Sequence, residues 1–199
     1  MTSASLLAYA LALLLAVATP GPAMISVTGR GFSQGPKPAL LMAAGIAIAD
    51  CILGALALLG LATLMTSSVW LVTIIKFAGA AYLIWLGIRM WRAPAVYSAK
   101  ASGSKSHFLL GMTVGLSNPK AILFHASMMP IIIDLRLLDR SSAAAILAII
   151  FCANLLGMGA YAILAGNGSR WFRTPERLAW LNRVGSGSML GAGALIVVR

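Results

Sequence analysis

Residues 39–65 read ALLMAAGIAIADCILGALALLGLATLM, a run in which Asp50 is the single charged group and stands near the middle. A helix that spans a bilayer needs about 20 predominantly apolar residues, and this run exceeds that. A carboxylate at the bilayer centre costs roughly 2.5–3.5 kcal/mol on insertion scales, so such groups usually face a pathway or a partner. The other three acids, Asp134, Asp139 and Glu176, fall in breaks between hydrophobic runs. The chain therefore reads as a membrane protein that keeps one acid inside the membrane, and that reading points to transport.

Working outward, further apolar stretches lie near 5–28, 69–88, 108–133, 143–165 and 178–198. With 199 residues that are 60% hydrophobic and 10% charged, and a mean hydropathy of +0.94, the composition excludes a soluble globular domain. The expected fold is an all-α membrane protein with six transmembrane helices, forming one transporter domain over 1–199. Any function has to be built from helices and short loops in contact with the lipid bilayer.

A net charge of +11 would suggest nucleic acid in a soluble protein; its distribution here argues for membrane topology instead. Arg30, Lys37, Arg89, Arg92, Lys100, Lys105, Arg170, Arg173 and Arg177 follow the first, third and fifth runs. The opposite loops and terminus hold Arg136, Arg140 and Arg199, with Asp134 and Asp139 beside the first two. By the positive-inside rule the basic loops are cytoplasmic and both termini are periplasmic. Ala16-Val17-Ala18 imitates a signal-peptidase site, but no basic residue precedes Arg30, so the first run is read as a retained span.

A polar segment near 92–107 divides the chain into a first half of about 1–91 and a second of about 108–199. Pro22 with Ile25 matches Pro119 with Ile122, and Ala49-Asp50 matches Ala153-Asn154. Lys76 with Gly79 and Gly87 matches Arg183 with Gly185 and Gly193. The matches keep their order, and three spans per half turn the second half upside down. Inverted repeats of this kind place their sites at the repeat interface near mid-membrane.

Two motifs interrupt the apolar runs. Thr19-Pro20-Gly21-Pro22 removes backbone donors and relaxes the geometry, which breaks a helix and exposes carbonyls beside a new helix N-terminus. Carbonyls suit a cation, and the N-terminus suits a carboxylate. Ser117-Asn118-Pro119-Lys120 repeats the theme in the fourth run and is expected to be a second break lining a cavity. Pro20, Gly21, Pro22, Asn118, Pro119, Lys120 and Asn154 are thus the candidate substrate-binding residues. Counting helical rise places Asp50 and Lys76 at one depth, so a switchable ion pair is expected, with His125 as a candidate proton relay. Asp50, Lys76 and His125 form the candidate ion-coupling set.

Cys51 and Cys152 each lie on the second helix of a half, which leaves a thiol–disulfide carrier as one rival reading and a non-transporting scaffold as another. No Cys-x-x-Cys is present, and buried free cysteine often behaves as a small hydrophobe. Gly111-x-x-x-Gly115 and Gly187-x-x-x-Gly191 permit close helix approach, inside the chain or in a homodimer, with internal packing preferred. No nucleotide-binding glycine motif, metal-ligand cluster or catalytic triad occurs. The chain is therefore expected to be neither an enzyme nor a cofactor protein.

Thr19-Pro20-Gly21-Pro22, the segment Gly45–Asp50, Gly79-Ala80-Ala81-Tyr82-Leu83 with Gly87, and Asn118-Pro119-Lys120-Ala121-Ile122-Leu123-Phe124 resemble the lysine exporter (LysE/RhtB) family over nearly the whole chain. The resemblance implies a bacterial inner-membrane exporter of amino acids or related metabolites driven by an ion gradient. It also implies functional roles for Pro20, Gly21, Pro22, Asp50, Asn118, Pro119 and Lys120. Many members continue with a second Phe and later Pro-Gln-Phe, where this chain has His125 and then Met129-Pro130-Ile131-Ile132. The expectation is export of a small, neutral amino acid by proton antiport.

Overall fold

A computed structural model describes residues 2–67, 69–92, 107–134 and 138–167, together with scattered helical positions between 176 and 197. The polar segment 93–106 and the side chain of Lys76 lie outside the described residues, as does most of the last apolar run. The described residues hold helices and no strands. The helices are α1 (Ser3–Ala18), α2 (Pro22–Gln34), α3 (Pro36–Ser67), α4 (Val69–Arg92), α5 (His107–Leu116), α6 (Pro119–Ile132) and α7 (Arg140–Gly166).

Both expected interruptions are present. The first apolar run splits into α1 and α2, bent by 53° about Thr19–Gly21. Pro22 opens α2, where its missing N–H costs nothing because the first turn has no acceptor for it. The fourth run splits into α5 and α6 at Ser117-Asn118, with Pro119 again at the first helical position. Asn118 is the N-cap, its side-chain oxygen accepting the Lys120 backbone N–H at 3.2 Å, which satisfies one of the helix's orphan donors. Gly35 separates α2 from α3 at φ 89°, a left-handed conformation that glycine adopts without a Cβ penalty.

The long helices α3 and α7 pack against each other at the centre. Helix α5 lies along α3, α1 and α2 lie along α7, and α4 packs on α6. Small residues set the spacing between α3 and α5. A Cβ on Gly111 would run into the Met42 carbonyl, and one on Gly45 into the Phe108 carbonyl. A Cβ on Gly115 would stand 2.5 Å from the Ala49 Cβ. The Gly111-x-x-x-Gly115 motif thus serves packing within the chain.

Polarity is distributed inside out. Leu7, Leu56, Leu59, Trp70, Leu109 and Leu156 are exposed, while Thr19, Asp50, Asn118, Lys120, His125 and Asn154 are buried. An exposed apolar belt of this size is unfavourable in water and favourable in lipid. Pro36–Gly60 and Arg140–Gly166 are long and apolar enough to cross a membrane, and bent α1–α2 makes a third candidate. The chain is a helical membrane protein.

Candidate functional site

Helix α3 carries Asp50 to the interior because its neighbours on that face, Ala43, Ile46 and Ala47, are buried in the core. Asp50 itself is 5% exposed. An isolated carboxylate there would be prohibitively desolvated, and two partners hold it. Asn154 Nδ2 donates to Asp50 Oδ2 at 2.5 Å and also to the Ile150 carbonyl at 3.1 Å. His125 Nε2 lies 3.3 Å from Asp50 Oδ1, at ion-pair distance but without hydrogen-bond alignment. On the other edge of the ring, His125 Nδ1 is 2.8 Å from the Tyr9 hydroxyl. A neutral imidazole protonated on Nε2 would face the carboxylate while Nδ1 accepts the Tyr9 O–H. Tyr9, His125, Asp50 and Asn154 form one buried polar chain across α1, α6, α3 and α7.

Lys120 occupies the other end of the site. Its ammonium donates to the Ala16 carbonyl at 2.7 Å, to the Thr19 carbonyl at 2.9 Å and to the Thr19 hydroxyl. The Lys120 backbone starts α6, but its charge sits on the C-terminal end of α1. The reason is steric and electrostatic. Helical side chains lean toward the N-terminus of their own helix, which sends the Lys120 stem out of α6 toward the facing break. The carbonyls ending α1 carry partial negative charge and receive the cation. Gly21 makes room for the stem, since a Cβ there would lie 3.3 Å from Lys120 Cδ.

These groups border one partly open cavity of about 40 Å³. Its walls include Thr19 and Gly21 from the first break, Asn118 and Lys120 from the second, and Asp50, His125 and Asn154. At roughly 10–15 Å³ per water, it holds a few waters in this conformation. Pro20 and Pro22 frame the first break and Pro119 the second. Of the ten residues singled out from sequence, Lys76 is the one whose side chain is not described; the partners of Asp50 among the described residues are Asn154 and His125.

His125, five residues beyond Lys120 on α6, is in contact with Asp50. The break at Ser117-Asn118 explains this, because the chain turns there and stops rising at 1.5 Å per residue. Tyr9 was missed altogether. Its signal is a phenol in an otherwise apolar helix, a group that takes a polar partner when buried. The two cysteines form no disulfide: Cys51 is half-buried and Cys152 exposed, with the Cys51 thiol directed at the Leu147 carbonyl at 3.6 Å. Among the described residues no group of His, Cys, Asp and Glu could hold a metal.

Comparison with known proteins finds efflux proteins among the relatives of this chain. A leucine efflux protein of Klebsiella pneumoniae subsp. pneumoniae is 32% identical over 181 residues, covering 88% of this chain and 85% of the relative. A homoserine/homoserine lactone efflux protein of Salmonella typhimurium is 30% identical over 193 residues, covering 95% and 94%. A threonine efflux protein of Salmonella typhi is 28% identical over 197 residues, covering 93% of each chain. No solved structure shows a match. The family model for the LysE type translocator matches residues 14–199, and the chain belongs to that family.

Proposed function

We propose that this protein is a secondary transporter that exports a small neutral amino acid, or a related metabolite, from a bacterial cytoplasm by proton antiport. The observation that carries the proposal is the meeting of two helix breaks with a buried acid, amide, imidazole and ammonium inside an otherwise apolar bundle. Such discontinuous helices near the middle of a membrane protein are where secondary transporters bind substrate and coupling ion. The relatives named for leucine, homoserine and threonine efflux support neutral amino acids as the substrate class.

Six spans in two inverted halves account for the geometry. The broken α1 lies against α7 and the broken α5 against α3, so each half places its broken helix on the other half's long helix. Asp50 and Asn154, the paired positions of the sequence repeat, bond to each other. Equivalent residues touch only close to the axis that relates them. The reading sets both termini in the periplasm and the protein in the inner membrane.

In this mechanism the substrate carboxylate lies near the N-termini of α2 and α6, after Pro22 and Pro119. Asp50 takes up a proton entering from outside, with His125 beside it as relay and Lys76 as a second cation to be released. Asp50 and Lys120 offset one another, so a zwitterion enters without adding net charge to the desolvated site. The cavity has to widen to admit it, as alternating access requires.

Counterflow in proteoliposomes with labelled leucine, threonine, homoserine and lysine tests the reading, repeated with Asp50→Asn. Wild-type exchange of the neutral substrates is expected, with loss of the proton-driven component alone in the variant. Full proton-coupled export by Asp50→Asn would sink the mechanism.

A further inference from the structure

The end of α1 is an oxygen cage. The Ala16 carbonyl, the Thr19 carbonyl and the Thr19 hydroxyl converge on one point, and the Lys120 ammonium fills it. The Thr19 hydroxyl donates to Ala16 at 2.6 Å, which leaves its lone pairs for the cation. Three acceptors meet the three N–H bonds of an ammonium, so the group is fully satisfied without a carboxylate in direct contact. Thr19 and Lys120 are both buried, and the cage opens on the cavity that Asp50 and Asn154 also line. Its occupant comes from a different helix on a flexible four-carbon stem, and a substrate α-ammonium is chemically the same group.

We propose that this cage binds the α-ammonium of the transported amino acid, and that Lys120 is a tethered occupant which the substrate displaces. The inference rests on the amino-acid transport reading given above. The exchange keeps one ammonium on the cage at all times, so the Thr19 carbonyl, whose donor is the Lys120 ammonium, is never left bare in a dry site. The displaced Lys120 ammonium turns to the incoming carboxylate. Selectivity follows directly. A zwitterion brings the counter-charge that Lys120 needs, whereas an amine lacking a carboxylate would leave two ammonium groups competing for one cage. The empty transporter therefore refuses simple amines, and Lys120 is what refuses them.

Lys120→Met keeps the apolar stem and vacates the cage. Purified wild type and variant are titrated with propylammonium chloride, with tetramethylammonium chloride as a cation that lacks N–H donors, and thermal stability is read. Lys120→Met is expected to gain a saturable stabilisation by propylammonium and none by tetramethylammonium, with wild type indifferent to both. A folded variant that ignores propylammonium, or responds equally to the two cations, refutes the cage. If Lys120→Met does not fold, Thr19→Val decides: removing one acceptor should weaken leucine, threonine or homoserine binding by roughly tenfold or more, and unchanged affinity overturns the assignment. A wild type that moves none of these amino acids refutes the transport reading and this one together. One that transports them beside a folded, unresponsive Lys120→Met refutes the cage alone.

Discussion

Gly115 and Ala49 give a sharp test of the packing that positions the site. A Cβ on Gly115 would stand 2.5 Å from the Ala49 Cβ, about 0.9 Å inside the closest ordinary contact. Both neighbours are helix cores, so neither atom can turn away and α5 has to back off α3. Overpacking of this order costs roughly 1–3 kcal/mol, against the ~1 kcal/mol by which alanine is the better helix former. Ala49→Gly removes the obstructing methyl and costs about 1 kcal/mol in helix propensity, plus a small cavity.

In the double variant the propensity changes cancel and the methyl merely moves from one helix to the other. Gly115→Ala with Ala49→Gly is therefore expected within about 1 kcal/mol of wild type, short of the sum of the two single losses, a coupling of the size seen for contacting residues. Reversible unfolding in mixed detergent micelles, titrated with sodium dodecyl sulfate, measures all three. Residual strain should come from Ile46, whose Cα and carbonyl are each 3.3 Å from the new Cβ. Strictly additive losses would refute the reasoning. Because Asp50 follows Ala49 and Asn118 follows α5 by two residues, the Gly115→Ala single variant should also transport poorly, and the double variant should recover.

His125→Phe strands the Tyr9 hydroxyl in the core, an unsatisfied group worth roughly 1–3 kcal/mol; adding Tyr9→Phe should restore melting temperature without restoring proton coupling, and a further stability loss in the double variant would contradict this. Asn118→Ala removes the N-cap of α6 and should cost roughly 0.5–2 kcal/mol in the same unfolding assay, with no change counting against the cap. Ser142 and then Ser141 hydrogen bonds hold Asp139, the N-cap of α7, down to about 2 from 3.8. Its folded-state value is depressed, so its support is complete above pH ~4 and is lost as pH falls toward ~2; Asp139→Asn should flatten that acid limb of the melting profile. The double variant Cys51→Ala, Cys152→Ala should transport as wild type does, and loss of flux on their removal would reopen the thiol-carrier reading.

The fold's broad outline was legible because it depends on one-dimensional quantities. Run length, hydropathy and the positions of Pro22 and Pro119 dictate where helices form and break, whatever packs against them. Glycine spacing at Gly111 and Gly115 likewise foretold a close helix contact, although not that Met42 and Ala49 would supply it. The polar cluster was half legible. Every member except Tyr9 stood out as a polar group in apolar surroundings, but the pairings did not, because they depend on how the breaks redirect the chain. Depth counted along a straight helix matched Asp50 to Lys76, whose side chain lies outside the described residues, while the break at Ser117-Asn118 brings His125 to Asp50.

The two breaks explain why the site has this composition. Interrupting a helix inside a membrane strands carbonyls on one side of the gap and N–H groups on the other, and lipid satisfies neither. At the first break the chain answers with its own cation: Lys120 neutralises the end of α1. At the second, Asn118 caps α6, leaving Lys120 free to reach across. The first break is repaired with a residue from the second, so opening the second gap disturbs the first as well. A substrate carrying an ammonium and a carboxylate offers replacements for the Lys120 contact and for an acceptor at a helix N-terminus in one molecule, which a purely cationic or anionic ligand does not. In the proposed mechanism the coupling between the halves and the preference for a zwitterion thus share one physical origin.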